Sequence, residues 1–235
     1  MEHAGTLMHQ LRRKNTPTSG STPAELLMES EVVNAISQEK LKEAVFYWFR
    51  LGVAQQGGCA QIDQKCALIL TKIAYWLHDY LHNRSRRGLL LMGGVGCGKS
   101  TAMRALRSTV NRLVELRCRH DYGLTRQLMM GIVSATELSD DRQTDPKMFE
   151  ADCRRLMLGI DDLGVEITER HSYGDAVRPI EEVIMRRYDD LRAVTVVTTN
   201  LTLDQLKGKY SARVIDRMRE MFQVVSFTGI GSFRK

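Results

Sequence analysis

Leu89-Leu90-Leu91-Met92-Gly93-Gly94-Val95-Gly96-Cys97-Gly98-Lys99-Ser100-Thr101 is the stretch on which the fold turns. Its first four residues are an unbroken apolar run, the pattern of a short parallel strand buried on both faces. Residues 93–100 fit G-x-x-x-x-G-K-[ST], and a chance match in a chain of this length has a probability on the order of 0.01. Behind the loop, residues 100–116 repeat apolar side chains at helical spacing: Met103, Leu106, Val110, Leu113 and Val114. Strand, glycine-rich loop and helix in that order are what a phosphate cradle needs. Glycines let successive backbone N–H groups turn toward one anion, and a helix N-terminus adds the positive end of its dipole. Lys99 supplies a point charge for the β- and γ-phosphates, and the Ser100 hydroxyl is a ligand for Mg²⁺. A tight glycine turn accounts for the glycines but not for Lys99-Ser100. The candidate nucleotide-binding residues are therefore Gly93, Gly94, Val95, Gly96, Cys97, Gly98, Lys99, Ser100 and Thr101. Cys97 occupies a variable position of the motif and reads as filler.

Working outward, residues 156–160 form a second apolar run that ends in Asp161-Asp162. Beside a phosphate loop, such a strand end supplies the other half of the site. Asp161 is the candidate metal ligand with Ser100, and Asp162 the candidate base that orients and activates water. Residues 194–197 are a third strand candidate, followed by Thr198-Thr199-Asn200. Strand C-terminal ends line the ligand crevice of open α/β sheets, so Asn200 is placed to bond the γ-phosphate or the water. Residues 129–133 and 224–227 complete a set of strand candidates separated by helical or loop segments, with helices expected at about 176–192 and 211–222. This alternation predicts an α/β fold with a parallel sheet. On the helix at 211–222, Arg213 and Arg217 stand four apart beside the apolar side formed by Val214, Ile215, Met218, Met221 and Phe222. They are candidates to reach a neighbouring protomer's γ-phosphate; the same spacing also permits Arg213–Asp216 and Arg217–Glu220 ion pairs.

The N-terminal part is different. Residues 1–22 read as a flexible arm, because Thr16–Pro23 is turn and linker chemistry with nothing to bury. Residues 23–85 read as a helical region: one apolar stripe from Leu26 to Phe49, ended by Gly52 and Gly57-Gly58, and a second helix at about 63–82. The chain of 235 residues carries a net charge of +6. The excess sits in 84–126, where ten basic residues face only Glu115 and Asp121. Single-stranded DNA contact through Arg104, Arg107, Arg112, Arg117 and Arg119 is one reading of this zone, and a solvated helix face is the other. No apolar run is long enough for a membrane span, and no secretory leader is read, so a cytoplasmic protein with no membrane partner is expected. Five cysteines without a C-x-x-C pair predict reduced thiols. His78 and His82 share a helix face but lack an evident third ligand, and Cys118-x-His120 is a weaker pattern still.

Taken together, these motifs resemble one family, the DnaC-type helicase-loader ATPases of the AAA+ class, with the related IstB-type transposition helpers. The resemblance covers roughly 86–235. It rests on 88–100, on Ile160-Asp161-Asp162-Leu163-Gly164, on Thr198-Thr199-Asn200-Leu201, on 210–222 and on Gly231-Ser232-Phe233-Arg234. It implies an AAA+ P-loop core over 86–235 with a five-stranded parallel sheet of order 5-1-4-3-2. No C-terminal helical lid is expected after Phe222. Lys99 and Ser100 match Walker A, Asp161 and Asp162 Walker B, and Asn200 sensor 1. Arg213 and Arg217 lie in the segment that supplies an arginine finger, with Arg217 the first choice; Arg234 matches a terminal Ser-x-Arg of unassigned role. The implied activity is Mg²⁺-dependent ATP binding and hydrolysis that loads or remodels a replicative DNA helicase, with self-association on helicase or DNA. The alternatives are a transposition helper that binds DNA and recruits a transposase, and a nucleotide-gated binding switch with little turnover.

Overall fold

In the computed structural model, which describes residues 22–28, 31–58, 61–118, 121–172 and 175–233, the five apolar runs pair into one parallel sheet. The strands are β1 (Gly88–Met92), β2 (Gly131–Ser134), β3 (Met157–Leu163), β6 (Val194–Thr199) and β7 (Phe222–Ser226). Their spatial order is β2-β3-β6-β1-β7, every neighbour parallel, which is the 5-1-4-3-2 order expected when the five are counted along the chain. The strand ends bearing Asp161, Asp162 and Asn200 therefore lie on the same side of the sheet as the loop that follows β1.

The helices are α1 (Pro23–Met28), α2 (Glu31–Asn34), α3 (Gln38–Gln55), α4 (Gln64–Leu81), α5 (Lys99–Arg117), α6 (Tyr122–Leu128), α7 (Ala135–Thr144), α8 (Pro146–Cys153), α9 (Pro179–Asp189), α10 (Leu203–Lys209) and α11 (Ala212–Met221). Successive side chains of each strand feed opposite faces of the sheet. Leu89, Leu91, Val194 and Val196 join an apolar cluster with α1–α6, whereas Leu90, Val197, Leu158 and Ile160 join a second cluster with α7–α11. Each fully buried aliphatic of this kind is worth about 1.5–3 kcal/mol of transfer free energy.

The N-terminal stripe is not one helix: among the described residues the chain leaves the helix at 35–37 and starts a new one at Gln38. Ser37 stays extended and its side chain accepts from the Lys40 N–H, starting α3 afresh. Gly52 does not end α3. It lies where α3 meets α5, and a Cβ there would sit 2.9 Å from Thr101 Cγ2. Helix α3 thus packs directly on the helix that opens the phosphate loop. Residues 170–177 also depart from expectation: Arg170–Ser172 (β4) and Asp175–Val177 (β5) form a separate antiparallel pair. The helix expected from 176 begins only at Pro179, because a residue before proline is pushed out of the helical region, and Arg178 accordingly has non-helical dihedrals (φ −118°, ψ 85°). The expected arm, 1–22, falls almost entirely outside the described residues, as do Cys59, Arg119, His120 and Arg234.

Among the described residues, no helix is long and apolar enough to cross a membrane. The four described cysteines, Cys66, Cys97, Cys118 and Cys153, are buried free thiols. Arg187 is 1% exposed, yet no carboxylate pairs with it among the described residues. It donates instead to Thr195 Oγ1 and to the carbonyls of Cys153, Arg155 and Val194, tying α9 to β6 and to the turn before β3. Burial pushes its pKa down to about 10.

Candidate functional site

The loop after β1 holds its shape through backbone conformations that favour glycine. Gly96 has φ +82° and Gly98, the residue before α5, has φ +94°. Both are also hemmed in from behind. A Cβ on Gly96 would lie 2.5 Å from Ser232 Oγ, and one on Gly98 would lie 3.0 Å from Phe49 Cζ and 3.2 Å from the Phe233 ring. The Phe233 N–H donates to Gly96 O at 3.0 Å, and its ring meets Phe49 edge to face. Helix α3 and the segment 231–233 therefore buttress the loop from outside.

Lys99 is only 4% exposed, and its ammonium donates to Gly93 O (2.9 Å), Gly94 O (2.7 Å) and Asn200 Oδ1 (2.7 Å). Its three donors are satisfied by neutral oxygens. No carboxylate pairs with it among the described residues, so its charge is uncompensated at the mouth of the loop. Cys97 turns inward, donating to Gly94 O at 3.0 Å and lying 3.7 Å from the Lys99 ammonium. Val95 is exposed at the loop tip, and Thr101 is buried under α3.

The acidic half faces this charge. Asp161 Oδ1 accepts from Ser100 Oγ (2.8 Å) and from Thr198 Oγ1 (2.6 Å), while Oδ2 is 3.5 Å from Arg104 Nη2. The Thr198 hydroxyl also accepts from the Asp162 N–H at 2.9 Å, so one buried hydroxyl holds the Asp161 carboxylate and the Asp162 backbone against β6. At Asp162 the chain leaves the ladder. Its φ is +57°, and the β3–β6 register shifts between Ile160 and Leu163. Aspartate is one of the few L-residues that tolerate this region. The kink leaves Asp162 half-buried at the cleft while Asp161 keeps its pairing with Ser134 of β2.

Together these groups line a cleft of about 380 Å³, with Lys99, Ser100, Asp161, Asp162 and Asn200 on its walls. Gln56, Arg104 and Phe233 line it too. Ser100 and Asp161 supply two hard oxygen donors in contact with each other, a donor set that fits Mg²⁺. The sequence alone points to no role for Thr198, Gln56 or Phe233, and it offers Arg104 as a DNA contact rather than as a wall of this cleft. Thr198 was quoted beside Asn200, but the phase of β6 that aims its hydroxyl at Asp161 emerges only from the β3–β6 register.

The two candidate arginines of α11 separate. Arg217 lies over the Tyr188 ring at 4.4 Å and pairs with Glu220 (3.2 Å) and Asp216 (3.8 Å), and Glu220 in turn accepts from Tyr188 OH. Arg213 is exposed and makes no ion pair among the described residues. The basic zone separates as well. Arg104 enters the cleft, Arg117 Nε donates to Leu26 O, and Arg87 donates to the carbonyls of Arg219 and Phe222. Among the described residues of this zone, Arg107 and Arg112 meet in a second cleft, which Trp48, Asn111 and Arg155 also line. There Arg112 pairs with Glu115, and Arg155 with Asp152. His78 and His82 stack at 4.2 Å; neither buried Nδ1 has a hydrogen-bond partner among the described residues, though that of His78 lies 3.7 Å from Asp79 Oδ1. Burial and the neighbouring His78 lower the His82 pKa. No group of three or more metal-ligating side chains exists among the described residues.

No protein-family model matches the chain, and a comparison with curated proteins finds no relative. Among solved structures, the chain is similar to a crystal structure of DnaI, at 21% identity and a TM-score of 0.51, over 70% of this chain and 85% of that one. It also matches a crystal structure of the DnaC helicase loader (21% identity, TM-score 0.44, 70% and 90% covered). A third match is AMPPCP-bound DnaA from Aquifex aeolicus (13% identity, TM-score 0.41, 66% and 46% covered). The first likeness is one of fold; the other two superpose too loosely to add to it.

Proposed function

We propose that the chain is a Mg²⁺-dependent ATPase whose nucleotide cycle drives loading or remodelling of a replicative DNA helicase. One observation carries the ATPase part: the uncompensated Lys99 ammonium, Ser100, Asp161, Asp162 and Asn200 converge on one cleft from three strand ends. In this reading the N–H groups of the glycine loop and Lys99 hold the β- and γ-phosphates. Ser100 and Asp161 hold Mg²⁺, which when bound neutralises charge on the phosphate oxygens. Asp162, turned into the cleft by its kink, accepts a proton from the attacking water, and Asn200 bonds the γ-phosphate or that water. Lys99 first exchanges its bonds to Gly93 O, Gly94 O and Asn200 for phosphate oxygens. The loop carbonyls are thus the resting place of its charge.

Self-association completes the site. An arginine from the next protomer reaching the γ-phosphate is worth about 10³–10⁵ in rate in other NTPases. Arg213, exposed and without an ion pair among the described residues, suits that role better than Arg217, which is held by Tyr188, Glu220 and Asp216. The helicase partner rests on the ordered motif set, from the phosphate loop to Gly231-Ser232-Phe233. Single-stranded DNA is a further proposed partner. The cleft with Trp48, Arg107, Arg112 and Arg155 offers it a stacking ring and cations.

The test mixes the full chain with a purified replicative helicase from the same host. A complex that forms with ATP or a non-hydrolysable analogue and dissolves on hydrolysis is expected. No complex under any nucleotide condition contradicts the helicase reading. Strong ATPase stimulation by duplex DNA without helicase supports the transposition-helper alternative instead.

A further inference from the structure

Glu166 is a buried carboxylate that the proposed chemistry does not use. Its side chain is fully enclosed, four residues past Asp162, on the turn that leaves β3. An ionisable group in such a place costs several kcal/mol unless each oxygen is satisfied. Both are, and by different elements. Oε2 accepts from the Gly164 N–H at 2.8 Å. Oε1 accepts from Tyr210 OH at 2.6 Å and lies 3.5 Å from Lys209 Nζ, which also donates to the Glu166 carbonyl at 2.7 Å.

The two oxygens bind two ends of the machinery. Gly164 belongs to the turn set by Asp162: the Val165 N–H donates to Asp162 O, and Gly164 has φ +104° with no room for a Cβ, which would sit 2.4 Å from Leu201 Cδ1. Leu201 follows Asn200. Tyr210 ends α10 and adjoins Ser211, the residue before α11. Ser211 is itself gripped, its N–H and hydroxyl both donating to the Glu181 carboxylate at 2.8 and 2.7 Å. Arg213 stands two residues farther on. A movement of the Asp162 turn is therefore passed through one carboxylate to the head of the helix that carries Arg213.

We infer that Glu166 is a positioning residue whose two-sided carboxylate couples the Asp161–Asp162 side of the nucleotide cleft to the orientation of Arg213. This rests on the ATPase reading above. It adds that one protomer's nucleotide state sets the arginine it offers to its neighbour. A merely structural role for Glu166 would lower stability without linking these two places.

Tyr210→Phe is the cleanest perturbation, because it removes one hydroxyl and keeps the ring; Glu166→Gln is the second variant. The assays are steady-state hydrolysis, binding of a fluorescent ATP analogue, and amide hydrogen exchange over 211–221. Tyr210→Phe is expected to keep analogue affinity within about twofold and to lower kcat about tenfold. In an Arg213→Ala background the same change lowers kcat no more than about twofold, since the coupled element is already gone. Equal fold losses in both backgrounds, or no loss in either, overturn the inference. Hydrogen exchange tests the latch without turnover. Binding of the non-hydrolysable analogue slows exchange over 211–221 in the wild type and not in Tyr210→Phe or Glu166→Gln. Exchange that does not respond to nucleotide in the wild type, or responds equally in all three proteins, overturns it. A wild-type chain that hydrolyses no ATP yet shows the exchange response refutes the ATPase reading alone and leaves the coupling standing.

Discussion

Thr198→Val removes one hydroxyl and almost nothing else, and it strikes the joint of the cleft. Thr198 is fully buried; its hydroxyl donates to Asp161 Oδ1 at 2.6 Å and accepts from the Asp162 N–H at 2.9 Å. Valine fills the same volume but makes neither bond. Losing a hydrogen bond to a carboxylate costs about 1.5–3 kcal/mol, and a buried N–H left without an acceptor costs about 1–3 kcal/mol. The added methyl returns up to about 0.8 kcal/mol. A net destabilisation of roughly 3 kcal/mol follows, equivalent to a fall in Tm of roughly 6–12 °C for a chain of this size. Urea unfolding monitored by far-UV circular dichroism reads it as a lower midpoint at unchanged m. Thr198→Ser keeps both bonds and loses only a methyl, so its loss should be about 1 kcal/mol. Asp161 keeps Ser100, so nucleotide affinity should weaken less than kcat, which depends on where the Asp162 backbone sits. A Thr198→Val loss below about 1 kcal/mol, or one equal to that of Thr198→Ser, refutes the account of the hydroxyl as the shared anchor of both aspartates.

Arg187→Met should destabilise by about 3–5 kcal/mol, because it strands the carbonyls of Cys153, Arg155 and Val194 in the interior; chemical denaturation against wild type is the check. Burial raises the Cys66 thiol from its ordinary 9.0 to about 12 and the Cys153 thiol to about 11. Each is protonated in the folded chain where the unfolded one would ionise, so the stability they contribute is intact below pH 9 and declines as pH rises toward 11–12. Denaturation midpoints between pH 8.5 and 10.5 should therefore fall, and fall less steeply in Cys66→Ala. Arg107→Glu should weaken oligo(dT) binding at least about tenfold and flatten its salt dependence if the Trp48 cleft carries single-stranded DNA; unchanged fluorescence anisotropy makes that helix a solvated face.

How far the sequence could be read depended on the range of the interaction involved. The strands were legible because Leu89–Leu91 is a short apolar run and Val194–Val197 is β-branched throughout, the composition of strands buried on both faces. The phosphate loop was legible because its chemistry is local: glycines that need unusual φ, then a lysine at a helix start. The fresh start of α3 is not legible because an apolar stripe continues across it, and Ser37 acts as a cap only through its own extended backbone. Gly52 was misread as a stop; its small size serves the approach of α3 to Thr101, a contact between distant parts of the chain. The same limit hid Thr198 and Glu166. A threonine in a strand and a glutamate in a loop are common, and they become informative only once the β3–β6 register and the Tyr210 contact are known. For Arg213 and Arg217, spacing left the choice open. The aromatic ring over Arg217 comes from α9, and its carboxylates are the adjacent Asp216 and, one turn on, Glu220.

The most direct test of the central claim compares binding with turnover in three proteins: wild type, Lys99→Ala and Asp162→Asn. Fluorescent ATP-analogue titration and phosphate release are measured on each, with Mg²⁺ and with helicase present. Wild type should bind and hydrolyse, Lys99→Ala should do neither, and Asp162→Asn should bind normally while releasing phosphate at least about a hundredfold more slowly. Wild-type binding with no phosphate release, or turnover in Asp162→Asn equal to that of wild type, would contradict the assignment of this cleft as an ATPase site.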